Sequence, residues 1–170
     1  EGRPVCVTGG AGFIGGHLVD ALLSLGASIT IIDDLSNSSL DHLAGLMELE
    51  PERVRFVHGS ILDDDAVADA TEDVRTIFHL AAIGSVPRSI EQPQRSWSVN
   101  ATGTVRILEA ARKLWARRSG PGSHERVVFA ASSSAYGDDP ALPKAETQLP
   151  RPLSPYAASK LAGEQALAAW

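Results

Sequence analysis

The stretch Val5-Cys6-Val7-Thr8-Gly9-Gly10-Ala11-Gly12-Phe13-Ile14-Gly15 decides the fold of this chain. An apolar run stops at a cluster of glycines, and a helical pattern starts straight after it at Phe13. A strand turning sharply into a helix needs residues that reach positive φ and place no side chain between the two elements. The turn also faces the N–H groups of the helix N-terminus, which favour an anion such as a pyrophosphate. Glycines alone are a weak signal. A strand before them, a helix after them and an acid closing the next strand make the signal specific. That acid is Asp33, 18 residues past Gly15, near the spacing at which a carboxylate accepts hydrogen bonds from the ribose hydroxyls of a dinucleotide. The same carboxylate repels a 2′-phosphate, so NAD is expected in preference to NADP. The plainer alternative is a glycine turn used only for helix packing, with Asp33 and Asp34 as loop acids, and the coincidence of three features weighs against it. No Gly-Lys-Ser/Thr occurs, which removes a P-loop.

Working outward, short β-branched runs alternate with amphipathic helical patterns. Strands are expected at Pro4–Thr8, Ser28–Asp33, Arg53–His58, Val74–His79 and Arg126–Ala131. Helices are expected at Phe13–Leu25, Leu40–Leu49, Asp63–Ala70 and Gln94–Ala116, with a last one from Ser154. Near-continuous apolar strands of this kind are buried on both faces. Alternating β and α implies an α/β fold, a doubly wound parallel Rossmann-type sheet, and right-handed crossovers give the strand order 3-2-1-4-5. Ser119–Glu125 and Gly137–Leu153 read as loops, the first a surface turn, the second, after an active-site strand, reading equally as part of a substrate wall or as a plain connector. Ser154 as N-cap and Pro155 at the first helical position open the last helix. No stop signal follows, so the chain is expected to be cut within or just after an element, and its start at Glu1 points to trimming. No internal repeat is visible.

Composition narrows the class. The 170 residues are 44% hydrophobic and 21% charged, enough for one substantial core and one domain spanning 1–170. A net charge of -6 works against a nucleic-acid binder, which needs a basic face that releases counterions. The one basic run, Arg112-Lys113 with Arg117-Arg118, reads as a solvated helix end. Cys6 is the single cysteine, so no internal disulfide can form, and its apolar setting marks it as a small buried hydrophobe. No apolar stretch approaches the roughly 20 residues that span a bilayer, and no signal-peptide pattern opens the chain. A cytoplasmic protein without a membrane partner is the expectation.

Tyr156 and Lys160 stand at i and i+4 on the last helix, so their side chains share one face about a turn apart. An ammonium so placed favours the phenolate form, which suits a general base. Ser132 follows the fifth strand, at the carboxyl edge where ligands of doubly wound sheets bind. Together with Leu80-Ala81-Ala82, Asn100 and the glycine turn, Tyr156-Ala-Ala-Ser-Lys160 resembles the extended short-chain dehydrogenase/reductase superfamily, over essentially the whole chain. Ser133 and Ser134 compete with Ser132 for the catalytic hydroxyl, and the register set by Tyr136-Gly137 selects Ser132.

The strings Gly84-Ser-Val-Pro-Arg-Ser89, Ala130-Ala-Ser-Ser-Ser-Ala-Tyr-Gly137 and Leu142-Pro-Lys-Ala-Glu146 resemble the UDP-sugar 4-epimerases within that superfamily. The resemblance implies that Tyr156 takes the proton from the sugar O4 while hydride leaves C4 for NAD. A 4-keto intermediate then turns over and receives hydride on its other face. It implies cofactor contacts at Gly9, Gly12, Phe13, Ile14, Gly15, Asp33, Asn37, Ser38, Ser60, Ile61, Leu80, Ala81, Ala82, Asn100, Tyr156 and Lys160, and no metal. A 4,6-dehydratase would need an Asp-Glu pair after the catalytic hydroxyl, where this chain has Ser133-Ser134. A non-catalytic NAD-binding scaffold shares the fold, but the intact Ser132, Tyr156 and Lys160 argue against it. Two departures stand out: Ser60-Ile61 replaces the acid many members carry near the adenine, and the C-terminal domain that grips the nucleotide sugar is expected to be absent. A homodimer is implied through the helices beginning near Gln94 and at Ser154, with Leu161, Leu167 and Trp170 exposed for it.

Overall fold

The computed structural model describes residues 2–116 and 125–170. Arg117-Arg118 and all of the expected Ser119–Glu125 loop except Glu125 lie outside the described residues. Five strands, β1 (Pro4–Thr8), β2 (Ser28–Asp33), β3 (Val54–His58), β4 (Thr76–His79) and β5 (Arg126–Phe129), form one parallel sheet in the order β3-β2-β1-β4-β5. This is the expected doubly wound arrangement.

Side-chain alternation on the strands divides the core into two layers. Val5, Val7, Ile29 and Ile31 face helices α1 (Phe13–Ser24) and α2 (Asp41–Leu49), packing with Val19, Leu23 and Leu43. Cys6, Ile32 and Ile77 face the other way, toward α3 (Asp64–Thr71) and the later helices, where Ile61, Val67 and Ile107 meet them. Burial raises the Cys6 thiol to about 12, so it stays protonated and behaves as an apolar filler. Burial on both faces holds for the central β1 but not for the sheet edges. On β5, Val128 is 43% exposed, and on β3 Arg55 and His58 are exposed, because an edge strand is covered by fewer neighbours.

Two helical elements depart from the sequence reading. The expected single helix from Gln94 to Ala116 is interrupted: α5 (Pro93–Trp97) passes through a π turn at Ser98–Thr102 into α6 (Gly103–Ala116). In that turn Gly103 N–H reaches back to Ser98 O, and the Thr104 hydroxyl donates to Asn100 O at 2.6 Å. One inserted residue leaves the apolar pattern almost unchanged, so periodicity does not show it. An extra helix, α4 (Val86–Glu91), precedes α5; Ser85 caps it by accepting from Arg88 N–H at 3.3 Å, with Pro87 in its first turn. The last helix, α7 (Pro155–Ala169), starts as expected, with Ser154 Oγ accepting from Ala157 N–H at 3.1 Å. Among the described residues no helix is long and apolar enough to cross a membrane.

Candidate cofactor site and active site

Because every strand is parallel, the segments that follow them converge on one edge of the sheet. The glycine turn, Asp33, Ser60-Ile61, Leu80–Ala82 and Ser132 all lie there. Gly9 has φ +72°, and a Cβ on it would sit 2.7 Å from Ala81 N. Its own N–H donates to Ile32 O at 2.8 Å, so the turn is seated between the ends of β2 and β4. A Cβ on Gly15 would meet the Gly10 backbone, with Cα at 2.6 Å, so helix α1 can approach the turn only without one. Gly12 is the N-cap of α1 and supplies no side chain, while Phe13 and Ile14 in the first helical turn are 84% and 68% exposed. The turn is a cradle that backbone approaches from inside and that stays open outward.

Asp33 is built into this cradle. Its Oδ2 accepts from Ala11 N–H at 3.0 Å, and its Oδ1 accepts from Leu35 N–H and the Ser38 hydroxyl, both at 2.9 Å. A carboxylate offers about four acceptor positions, so one remains for a ligand hydroxyl. Ser38 therefore acts through Asp33. Asn37 Oδ1 accepts from Arg88 at 3.3 Å and ties the loop after β2 to α4. After β3, the Ser60 hydroxyl accepts from Leu62 N–H at 3.2 Å, while the Ile61 side chain is buried in the core beside Gly103. After β4, Leu80 N–H donates to Thr8 O and Ala81 N–H to the Thr8 hydroxyl, both at 3.1 Å.

Helix α7 is fixed from two sides. The buried Ser89 hydroxyl donates to Val86 O and accepts from Tyr156 N–H at 3.0 Å, taking one of the donors that a helix start leaves over. Ser159 Oγ donates to Tyr156 O at 2.8 Å and accepts from Asn100 Nδ2 at 3.0 Å. Asn100, 1% exposed, also accepts from Ile83 N–H at 2.8 Å and donates to Ile83 O. Its side chain thus clamps the loop after β4 to α7, with both amide N–H groups and the carbonyl engaged inside the protein.

Lys160 is 4% exposed, its Nζ 4.2 Å from the centroid of the Phe129 ring at the end of β5. Among the described residues its ammonium has no hydrogen-bond or ion-pair partner. Burial lowers it to about 8. Gly163, one turn on, allows this approach, because a Cβ there would lie 2.8 Å from Phe129. Ser132 extends from the same strand; its Oγ lies 2.7 Å from Ser134 Oγ and accepts from Ser134 N–H, capping a 3-10 turn over Ser133–Tyr136. Of the apolar residues expected to be exposed for pairing, Leu161 and Leu167 are half-buried against the chain itself. Trp170 is 53% exposed and donates to Glu109 at 3.1 Å.

Sequence reasoning passed over the buried polar residues behind the site: Thr8, His79, Ser89, Thr104 and Ser159. Their signal was present. His79 falls on the same strand face as Ile77, and a polar group in an apolar run must find partners.

With this geometry in view, the pattern of the NAD dependent epimerase/dehydratase family matches residues 5–170. A UDP-glucose 4-epimerase of Mycolicibacterium smegmatis is 42% identical over 160 residues, 93% of this chain and 48% of that protein. A UDP-N-acetylglucosamine 4-epimerase from Methanobrevibacter ruminantium, solved with UDP-N-acetylmuramic acid, superposes with a TM-score of 0.86 at 33% identity, over 99% of this chain and 50% of that one. A Thermus thermophilus UDP-glucose 4-epimerase solved with NAD gives 0.81 at 36% identity, over 98% and 50%. The chain spans about half the length of the curated relatives it matches. It belongs to the NAD dependent epimerase/dehydratase family.

Proposed function

We propose that this domain holds NAD for the C4 epimerisation of a nucleotide-activated sugar, a UDP-hexose or UDP-N-acetylhexosamine, through a 4-keto intermediate. The observation that carries the reading is Lys160, 4% exposed, whose solvent-accessible ammonium has no hydrogen-bond partner among the described residues and stands one helical turn from Tyr156 beside Phe129 at the carboxyl end of β5. Its three N–H donors, with no acceptor among the described residues, suit acceptors on a ligand, and ribose hydroxyls supply them. The cradle of Gly9, Gly12 and Gly15 fits a pyrophosphate, and the remaining acceptor position of Asp33 fits an adenosine ribose hydroxyl. When bound, NAD supplies a reversible hydride acceptor at the sugar carbon.

The protein's own part is acid–base work and orientation. Tyr156 takes the O4 proton and later returns it, the Lys160 ammonium stabilises the phenolate, and the Ser132 hydroxyl holds the substrate oxygen by a hydrogen bond. Ser133 and Ser134 carry no carboxyl for the elimination a dehydratase performs. Pairing of two copies through the helix faces of α5, α6 and α7 completes the reading, with Trp97 and Trp170 about half exposed there.

Titration calorimetry of this chain with NAD(H) and NADP(H) tests it. NAD(H) is expected to bind about tenfold more tightly or better, the worth of one hydrogen bond to a charged group. Equal or stronger binding of NADP(H) overturns the role given to Asp33.

A further inference from the structure

Behind the site lies a line of buried polar groups that neither the glycine turn nor the Tyr156–Lys160 pair explains. His79 closes β4 and is 1% exposed. Its Nδ1 lies 2.7 Å from the Thr8 hydroxyl, and its Nε2 lies 2.9 Å from the Thr104 hydroxyl. The two hydroxyls settle which nitrogen carries the proton. Thr104 Oγ1 donates its single hydrogen to Asn100 O at 2.6 Å, so toward His79 it can only accept. His79 Nε2 is therefore protonated and Nδ1 is bare. Thr8 Oγ1 accepts from Ala81 N–H at 3.1 Å and gives its own hydrogen to Nδ1. Every donor in the line points one way, from Ala81 through Thr8, His79 and Thr104 to the Asn100 carbonyl.

The two ends of the line are the two halves of the site. Thr8 and Ala81 hold the glycine turn, since Gly9 rests on the Ala81 backbone. Asn100 is the residue of the π turn whose side chain clamps Ile83 to Ser159, and Ser159 in turn holds Tyr156 O. We propose that His79 is a positioning residue, locked as the neutral Nε2–H tautomer, that ties the cofactor cradle to the catalytic helix and sets the geometry of both.

The surroundings fit a neutral imidazole. The elements packed on His79 present Thr8, Thr104, the Phe129 ring at 5.7 Å and, as the one charged group that acts on it, Lys160 of α7. Burial, and then the Lys160 ammonium, push the His79 imidazole down to about 3. A protonated ring would present a donor to Ala81-bonded Thr8 and reverse that end of the line.

The inference rests on the NAD-binding reading for its consequence but not for its first test. Nitrogen NMR of the His79 ring in this chain, with and without NAD, should show a protonated Nε2 and a bare Nδ1 at every pH from 5 to 9. A charged ring or the opposite tautomer anywhere in that range overturns the proposal. His79→Phe keeps the ring and removes both bonds, and His79→Gln retains a donor at the Nε2 position. NAD affinity of the folded protein should fall about tenfold in His79→Phe, the worth of one or two such bonds, with part of it restored in His79→Gln. A His79→Phe chain that loses stability yet binds NAD as the wild type does shows a purely structural role and sinks the idea. Should that variant not fold, Thr104→Val, which removes one end of the line, is to be judged by the same loss of affinity. If the wild-type chain binds no NAD, the proposed function fails, while the tautomer measurement still decides the orientation of the line.

Discussion

Alanine at Gly9 and alanine at Gly12 should do opposite things, although both positions belong to one turn. Gly9 has φ +72°, where an ordinary residue costs roughly 1–2 kcal/mol. Its added Cβ would also lie 2.7 Å from Ala81 N and 2.8 Å from Ala81 Cα. These are backbone atoms with no flexible end to give way, and overpacking of that kind costs roughly 1–3 kcal/mol. Gly9→Ala should therefore lose about 2–5 kcal/mol, the sum of the two effects. Gly12 has φ -76° and ψ 171°, open to any residue, and its added Cβ would meet only Gly9 O, at 3.3 Å. As an N-cap, alanine in place of glycine costs roughly 1 kcal/mol or less. The methyl would instead project into the mouth of the turn, where an anion must approach the backbone N–H groups. Losing one such hydrogen bond lowers NAD affinity by about tenfold. Urea unfolding and calorimetric titration of both variants separate the effects. If Gly12→Ala destabilises the chain as much as Gly9→Ala, or binds NAD as tightly as the wild type, the assignment of this turn as the cradle is wrong.

Other expectations concern pH and assembly. His79 titrates near 3 in the fold and near 6.5 when unfolded, so below pH 6.5 the unfolded state binds the extra proton and stability falls as pH drops. Integrated between pH 6.5, where the unfolded imidazole is half protonated, and pH 5, the stability advantage of wild type over His79→Gln should shrink by about 1.6 kcal/mol in urea unfolding; an unchanged gap refutes it. Lys160 has the same sign at alkaline pH. Its fold value of about 8 lies below the unfolded 10.5, so stability should rise across that window and Lys160→Met should abolish the rise. Sedimentation of the chain at high micromolar concentration should show self-association, and a monomer throughout that range counts against pairing through α5, α6 and α7.

The elements legible in the sequence were those whose signal is local. The glycine turn, Asp33 at the close of β2 and the Ser154-Pro155 start of α7 each announce themselves within a few residues, and the strand order followed from the Rossmann-type alternation together with right-handed crossovers. What stayed hidden was set by contacts between distant segments. The π turn at Ser98–Thr102 serves Asn100, whose partners Ile83 and Ser159 lie 17 and 59 residues away. Helix α4 carried a usable cue, Ser85 followed by Pro87, but its six residues are too few for an apolar period to register. The resemblance implied a cofactor contact at Asn100, and the sequence carried no sign of the bonds its side chain makes to Ile83 and Ser159. Its burial becomes visible only once α7 is packed on the helix that bears it.

Proton NMR of a UDP-hexose or UDP-N-acetylhexosamine incubated with the full-length gene product tests the central claim most directly. The wild type should bring the sugar to a mixture with its C4 epimer without net oxidation or reduction. Tyr156→Phe, compared at matched NAD content, should approach that mixture ~10²–10⁴-fold more slowly, the usual worth of a positioned acid–base group. Wild-type turnover in Tyr156→Phe would contradict the account, because the phenol oxygen is the group assigned to move the O4 proton.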